Sequence, residues 1–190
     1  MTKLIGIAGS LRRGSLNAAL LRAAAELAPG DVELTIATIR GIPLYDGDLE
    51  AAEGIPGPVA ALKDAIAAAD GLILATPEYI NSIPGVLKNA IDWLSRPSAD
   101  ILRVFVGKPV ALMGASPDGF GTVLAQNAWL PVLRALRVAL WSEGALLVPD
   151  ARAAFGPDGT LDDPVRTYQL RTFVQGFAAF ARRSGREPSA

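Results

Sequence analysis

Three apolar runs, residues 3–8, 71–76 and 108–113, each end in a turn of small residues, and each turn opens into a helical pattern. That repetition constrains the fold more than any other feature of the chain. Strands without polar alternation must be covered on both faces, which is the condition of a parallel sheet. Parallel neighbours are joined by crossovers, usually helices, and the right-handed sense of those crossovers spreads the helices over both faces. The pattern predicts a doubly wound α/β sheet.

The remaining segments fit that plan. Leu16, Leu20, Ala24 and Leu27 recur at helical spacing until Pro29-Gly30, and residues 32–38 read as a second strand. Residues 41–58 are rich in Gly, Pro and acidic side chains and read as a surface connection. Val59, Leu62, Ile66 and Ala69 form the stripe of a second helix, and Leu87, Ile91 and Leu94 that of a third. A fourth helix begins near Thr122, with a kink expected at Pro131. A fifth strand falls within 139–148. Asp163 before Pro164 starts a last helix striped by Leu170, Phe173, Phe177 and Phe180. Five strands and five helices in 190 residues make one domain, residues 1–183, followed by a disordered tail over 184–190. Trp93, Trp129 and the last helix supply apolar surface that is either core or a contact between subunits.

Two absences narrow the chemistry. With no Cys and no His, the chain has no thiolate nucleophile, no imidazole base and no Cys/His zinc site. Carboxylates, Lys, Tyr, hydroxyls or a bound cofactor must do any chemistry. Lys and Arg total 18 against 19 for Asp and Glu, a net charge of -1, which supplies no drive toward nucleic acid or an anionic membrane. No apolar run reaches the ~20 residues of a membrane span, and the start lacks a signal-peptide pattern. The expectation is a soluble cytoplasmic protein.

In doubly wound sheets ligands bind at the carboxyl ends of the strands, where all three irregular turns fall. The first, residues 9–17, lacks both Gly-x-Gly-x-x-Gly and a Walker lysine. It offers the hydroxyls of Ser10 and Ser15, the Asn17 amide, Arg12 and Arg13, and N–H groups at a helix start, an inventory suited to a phosphomonoester. The plain alternative is a Gly/Ser turn with a capping Ser15 and solvated arginines. The second turn, residues 77–85, combines two prolines with the amphipathic ring of Tyr79, and its backbone near Glu78 and Asn81 suits the polar edge of a heteroaromatic ring. Alternatively, Tyr79 is a surface aromatic and Glu78 a solvated charge. The third turn, residues 114–121, allows close backbone approach through its glycines, or those glycines serve only the turn itself.

Gly-Ser-Leu-Arg-Arg-Gly-Ser-Leu-Asn at 9–17, Thr-Pro-Glu-Tyr at 76–79, Ser-Ile-Pro-Gly-Val-Leu-Lys-Asn-Ala-Ile-Asp-Trp at 82–93 and Gly-Ala-Ser at 114–116 together resemble the NADPH-dependent FMN reductase family. The resemblance covers residues 3–148. It implies a flavodoxin-like, five-stranded parallel sheet of order 2-1-3-4-5, FMN as cofactor and NADPH or NADH as hydride donor. It sets the FMN phosphate against Ser10, Arg12, Ser15, Leu16 and Asn17. The ring falls against Pro77, Glu78, Tyr79, Asn81, Ser82, Ser116 and Gly119. Most members of the family have Asn where this chain has Ile80.

The implied reaction passes hydride through flavin N5 to a small-molecule acceptor by a ping-pong route. A quinone is the first choice, with azo compounds, chromate or free FMN as others. Tyr79 or water supplies the proton, and either Arg12 or Arg13 holds the FMN phosphate or the 2′-phosphate of NADPH, the resemblance favouring Arg12 for FMN. Family members also suggest a homodimer or homotetramer. Two other classes stay open at this point: a flavodoxin-type electron carrier, and a nucleotide-binding module without turnover.

Overall fold

In the computed structural model, which describes residues 1–184, β1 (Thr2–Ala8), β2 (Val32–Ala37), β3 (Gly71–Ala75) and β4 (Pro109–Ala115) lie parallel in the order β2-β1-β3-β4. β5 (Ala139–Leu140) and β6 (Leu146–Val148) both pair in parallel with β4, at opposite ends of it. The 2-1-3-4-5 order therefore holds, with the fifth position occupied by two short strands instead of the single one expected. The interruption has a cause in Trp141. Its indole is buried with its centroid 5.3 Å from the Phe173 ring and 5.8 Å from Phe177, and a Cβ at Gly176 would lie 2.8 Å from it. The Trp141 N–H still donates to the Val110 carbonyl of β4 at 2.9 Å, and the ladder lapses over residues 142–145, where Gly144 passes directly against that ring.

Every residue of β3 and β4 is buried, as their unbroken apolar sequences require. One face is covered by α1 (Leu16–Glu26) and α8 (Pro164–Ser184), which bring Leu20, Leu21, Phe173 and Phe177 against the sheet. The other is covered by α3 (Gly57–Ala68), α4 (Gly85–Leu94) and α6 (Val123–Ala135), through Val59, Ile66, Leu87 and Leu133. Each fully buried Leu, Ile or Phe contributes about 1.5–3 kcal/mol, so these two layers supply most of the driving force. Trp93 and Trp129 have no exposed surface and belong to the core, which removes them as subunit contacts.

The connection over 41–58 is more ordered than its composition suggests. It contains α2 (Gly47–Glu53), whose Asp48 N–H donates to the Asp46 carboxylate at 2.9 Å. Tyr45 packs edge-on to Trp93 with centroids 5.0 Å apart, and its hydroxyl donates to Glu50, which also pairs with Arg96 at 2.8 Å. Short helices α5 (Asp100–Val104) and α7 (Ala151–Ala154) complete the chain. Near α5 the ammonium of Lys63, 1% exposed, donates to the Arg96 carbonyl and to Asp100 at 3.0 Å. That hydrogen bond, with Arg103 adding to it, holds the Asp100 carboxyl below the ordinary aspartate value. Asp163 caps α8 by accepting from Val165 and Arg166. Ser184 closes that helix instead of opening a tail, and residues 185–190 lie outside the described residues.

Candidate active site

The turns after β1, β3 and β4 meet in a cleft of about 260 Å³ at the carboxyl edge of the sheet. The first turn contributes Ser10, Arg12, Ser15, Leu16 and Asn17, and the second Pro77, Glu78 and Tyr79. The third contributes Ser116, together with Ala115, Pro117 and Asp118, which the sequence reading did not single out. Asn81, Ser82 and Gly119 are outside the lining. The turns approach closely because two positions carry no side chain. A Cβ at Gly9 would lie 2.8 Å from both Pro77 and Leu87, and one at Gly114 would overlap Thr122 and come within 2.6 Å of the Thr76 carbonyl.

Three sets of side-chain bonds tie the turns to one another. The buried Asn17 amide donates to the Ala115 carbonyl and accepts from the Ala115 N–H, both at 2.9 Å, joining the start of α1 to the end of β4. The Tyr79 hydroxyl donates to Ser10 Oγ at 3.2 Å, joining the second turn to the first. Glu78 Oε2 accepts from the N–H groups of Leu124 and Ala125 at 2.9 and 3.0 Å. Thr122, the residue at the cap position of α6, makes no side-chain cap of its own, so Glu78 caps that helix from across the cleft. Ser116 Oγ is engaged within its own turn, donating to the Asp118 carbonyl and accepting from its N–H.

These bonds reassign several roles. Asn17 offers an incoming anion its backbone N–H, while its side-chain amide spends one N–H and its oxygen on Ala115. Glu78 is more than a solvated charge: its Oε2 is spent on the start of α6, which leaves Oε1 for a ligand or water. The Tyr79 hydroxyl is directed at Ser10 of the first turn.

The start of α1 fits a phosphate. Ser15 caps the helix through its side chain, which accepts from Ala18 at 3.2 Å. The N–H groups of Leu16 and Asn17 bond to nothing among the described residues and stand at the positive end of the helix dipole. Arg12 lines the same cleft and its side chain makes no hydrogen bond among the described residues, so it adds charge to these unspent N–H groups. No group of three or more Asp or Glu among the described residues is placed to hold a metal ion.

Beyond Tyr79 the chain reverses through Ile80 and Asn81, with Tyr79 and Ser82 exchanging backbone hydrogen bonds at 3.1 Å. Both central residues have positive φ, 48° and 57°, as a type I′ turn demands. Asn tolerates that conformation, whereas a β-branched residue is strained in it. Ile80 is also 98% exposed, so nothing packed against its side chain offsets the strain.

The family model of the NADPH-dependent FMN reductases matches residues 2–153. The chain belongs to that family. Its fellow members include an NAD(P)H-dependent FMN reductase of Pseudomonas aeruginosa, 41% identical over 181 residues that span 95% of this chain and 96% of that one. A 2-hydroxy-1,4-benzoquinone reductase of Burkholderia is 39% identical over the same shares of each chain. Among solved structures, the flavoenzyme NAD(P)H:(acceptor) oxidoreductase FerB of Paracoccus denitrificans superposes with a TM-score of 0.86. It is 33% identical, with 97% of this chain and 99% of that one covered. As an NADPH-dependent FMN reductase family member the chain is an oxidoreductase that works with FMN and a reduced nicotinamide nucleotide.

Proposed function

We propose that this chain holds FMN in the cleft between its three turns and uses NADPH or NADH to reduce a small acceptor, a quinone before any other. The observation that carries the reading is the pairwise tying of the turns around unspent donors at the start of α1. In it, the FMN phosphate is held by Ser10, Ser15, Arg12 and the N–H groups of Leu16 and Asn17. The ring is flanked by the backbone of Pro77, Glu78 and Tyr79 on one side and by Ser116 on the other. Asn81, Ser82 and Gly119 stand outside the cleft lining and are assigned no contact.

When bound, FMN supplies a two-electron relay between nicotinamide and acceptor, which is chemistry that a chain without His or Cys does not itself provide. The residues bind and orient. Arg12 and the helix dipole neutralise the phosphate, and the ties through Asn17, Glu78 and Tyr79 hold the walls at fixed spacing. Because Tyr79 donates to Ser10, the proton for the reduced acceptor comes from water in this reading. A quinone is favoured because a flat acceptor fits a cleft between facing turns, and a benzoquinone reductase is among the relatives.

A cytoplasmic setting, where reduced nicotinamide nucleotides are made, belongs to the same proposal. So does a homodimer or homotetramer, since Ile80 and Phe120 leave apolar side chains exposed on the second and third turns. Sedimentation tests the oligomer, and a monomer at micromolar concentration would refute it.

The flavin test is direct. Purified protein should be yellow or become so with FMN, bleach on anaerobic addition of NADPH, and recover colour on addition of benzoquinone. Initial velocities with both substrates varied should give parallel lines. Failure to take up FMN would refute the cleft assignment, and intersecting lines would refute the two-step exchange.

A further inference from the structure

A second cleft, of about 570 Å³, lies on the other side of the phosphate turn and shares Ser15 and Leu16 with the first. The start of α1 is thus the wall between the two. Leu16, Ala19 and Arg22, one face of α1 at i, i+3 and i+6, form one side of it. Arg152 of α7 and the loop over 155–159 form the other, and Arg13 stands at the phosphate turn. Arg22 lies over Gly159, where a Cβ would come within 3.3 Å of its Nη2.

Arg13, Arg22 and Arg152 make no ion pair and donate no side-chain hydrogen bond among the described residues. Elsewhere Arg96, Arg103 and Arg182 are paired with carboxylates. Asp158 is the one acidic residue in the lining, and its carboxylate already accepts from the Thr160 hydroxyl at 2.7 Å and the Thr160 N–H at 3.0 Å. Three exposed arginines lining one concavity raise its local positive potential, which an entering anion offsets. The charge is local, since the chain as a whole carries -1. Arginines on both walls and at one end suit a phosphomonoester, whose terminal oxygens accept forked hydrogen bonds from more than one direction.

The two consecutive arginines of the first turn are divided between the clefts, Arg12 lining the first and Arg13 the second. We propose that the second cleft receives the 2′-phosphate of NADPH and thereby sets a preference for NADPH over NADH. This rests on the flavin reading above, in which the FMN phosphate is accounted for on the far side of α1. A dinucleotide with its nicotinamide in the first cleft then brings its opposite end, the adenosine 2′-phosphate, past the shared wall.

Binding is tested with 2′,5′-ADP, which carries the 2′-phosphate but no nicotinamide, and with 5′-ADP as control. Each is titrated calorimetrically into FMN-loaded wild type, Arg22→Gln and Arg152→Gln. The wild type should favour 2′,5′-ADP. Each substitution should weaken 2′,5′-ADP about tenfold, the size of a lost charge-assisted hydrogen bond, and remove most of its advantage over 5′-ADP. In steady state the KM for NADPH should rise by a similar factor relative to that for NADH, with kcat for NADPH retained. Equal affinity of the wild type for the two nucleotides would overturn the proposal. So would equal losses for both on substitution, or no loss. Protein that binds 2′,5′-ADP through these arginines but takes up no FMN would keep the phosphate site and overturn the flavin reading instead.

Discussion

Glu78→Ala isolates what the cross-cleft cap contributes. The substitution removes one carboxylate oxygen that accepts from two N–H groups at the start of α6, where Thr122 provides no substitute. The two donors are not equivalent. Leu124 is exposed and water can replace its lost partner at little cost, whereas Ala125 is fully buried. A buried donor left without a partner costs about 1–3 kcal/mol. Loss of a negative charge at a helix N-terminus adds about 0.3–1 kcal/mol. The sum is about 1.3–4 kcal/mol, which for a domain of this length corresponds to a fall in Tm of about 3–16 °C. Glu78→Gln keeps an oxygen acceptor without the charge and should lose about half as much. Thermal unfolding followed by circular dichroism measures both, and FMN titration of the same proteins should show weaker binding, because the second turn is no longer tied to α6. A change in Tm below about 1 °C for Glu78→Ala would refute the assignment of Glu78 as the cap of α6.

Ile80→Asn should stabilise the protein by about 1 kcal/mol, since it relieves left-handed strain and removes a side chain that packs on nothing; calorimetry should show Tm rising by about 2–4 °C. Asn17→Ala breaks both bonds to Ala115 inside the core and should cost about 2–4 kcal/mol in urea unfolding, with FMN affinity falling in parallel. The Asp100 carboxyl is held low by Lys63, so its contribution is present above the ordinary aspartate range and is lost as pH falls through and below about 4. Urea midpoints of wild type and Asp100→Asn should therefore differ at pH 7 and converge in acid; a constant gap would contradict the Lys63–Asp100 linkage.

The three turns and their common edge were legible in the sequence because glycines, serines and prolines interrupt apolar runs abruptly. The polar commitments of the site were not. Asn17 and Ala115 are 98 residues apart, and Glu78 and Ala125 are 47 apart. Such pairings leave no periodic trace, so a capping carboxylate and a turn-tying amide look like free ligands until the fold brings their partners to them. The short helix α2 was hidden for a different reason. Asp46-Gly47-Asp48 opens it, and the side chain that caps a helix also favours a turn. Trp141 reads in the sequence as one more apolar strand residue, while in the fold its bulk divides the strand.

The tie between Asn17 and Ala115 also bears on timing during synthesis. The polar groups of the first turn are made within the first 17 residues, but the Asn17 side chain has no partner until β4 has been translated and has joined the sheet. Glu78 waits likewise for residues 124 and 125. A nascent chain thus carries the hydroxyls and N–H groups that the proposal assigns to FMN long before it has the shape to use them. Because a ligand that binds only the native state stabilises it by mass action, flavin capture acts on the finished sheet and not on its fragments. The appearance of bound flavin then reports that both ends of the fold have found each other.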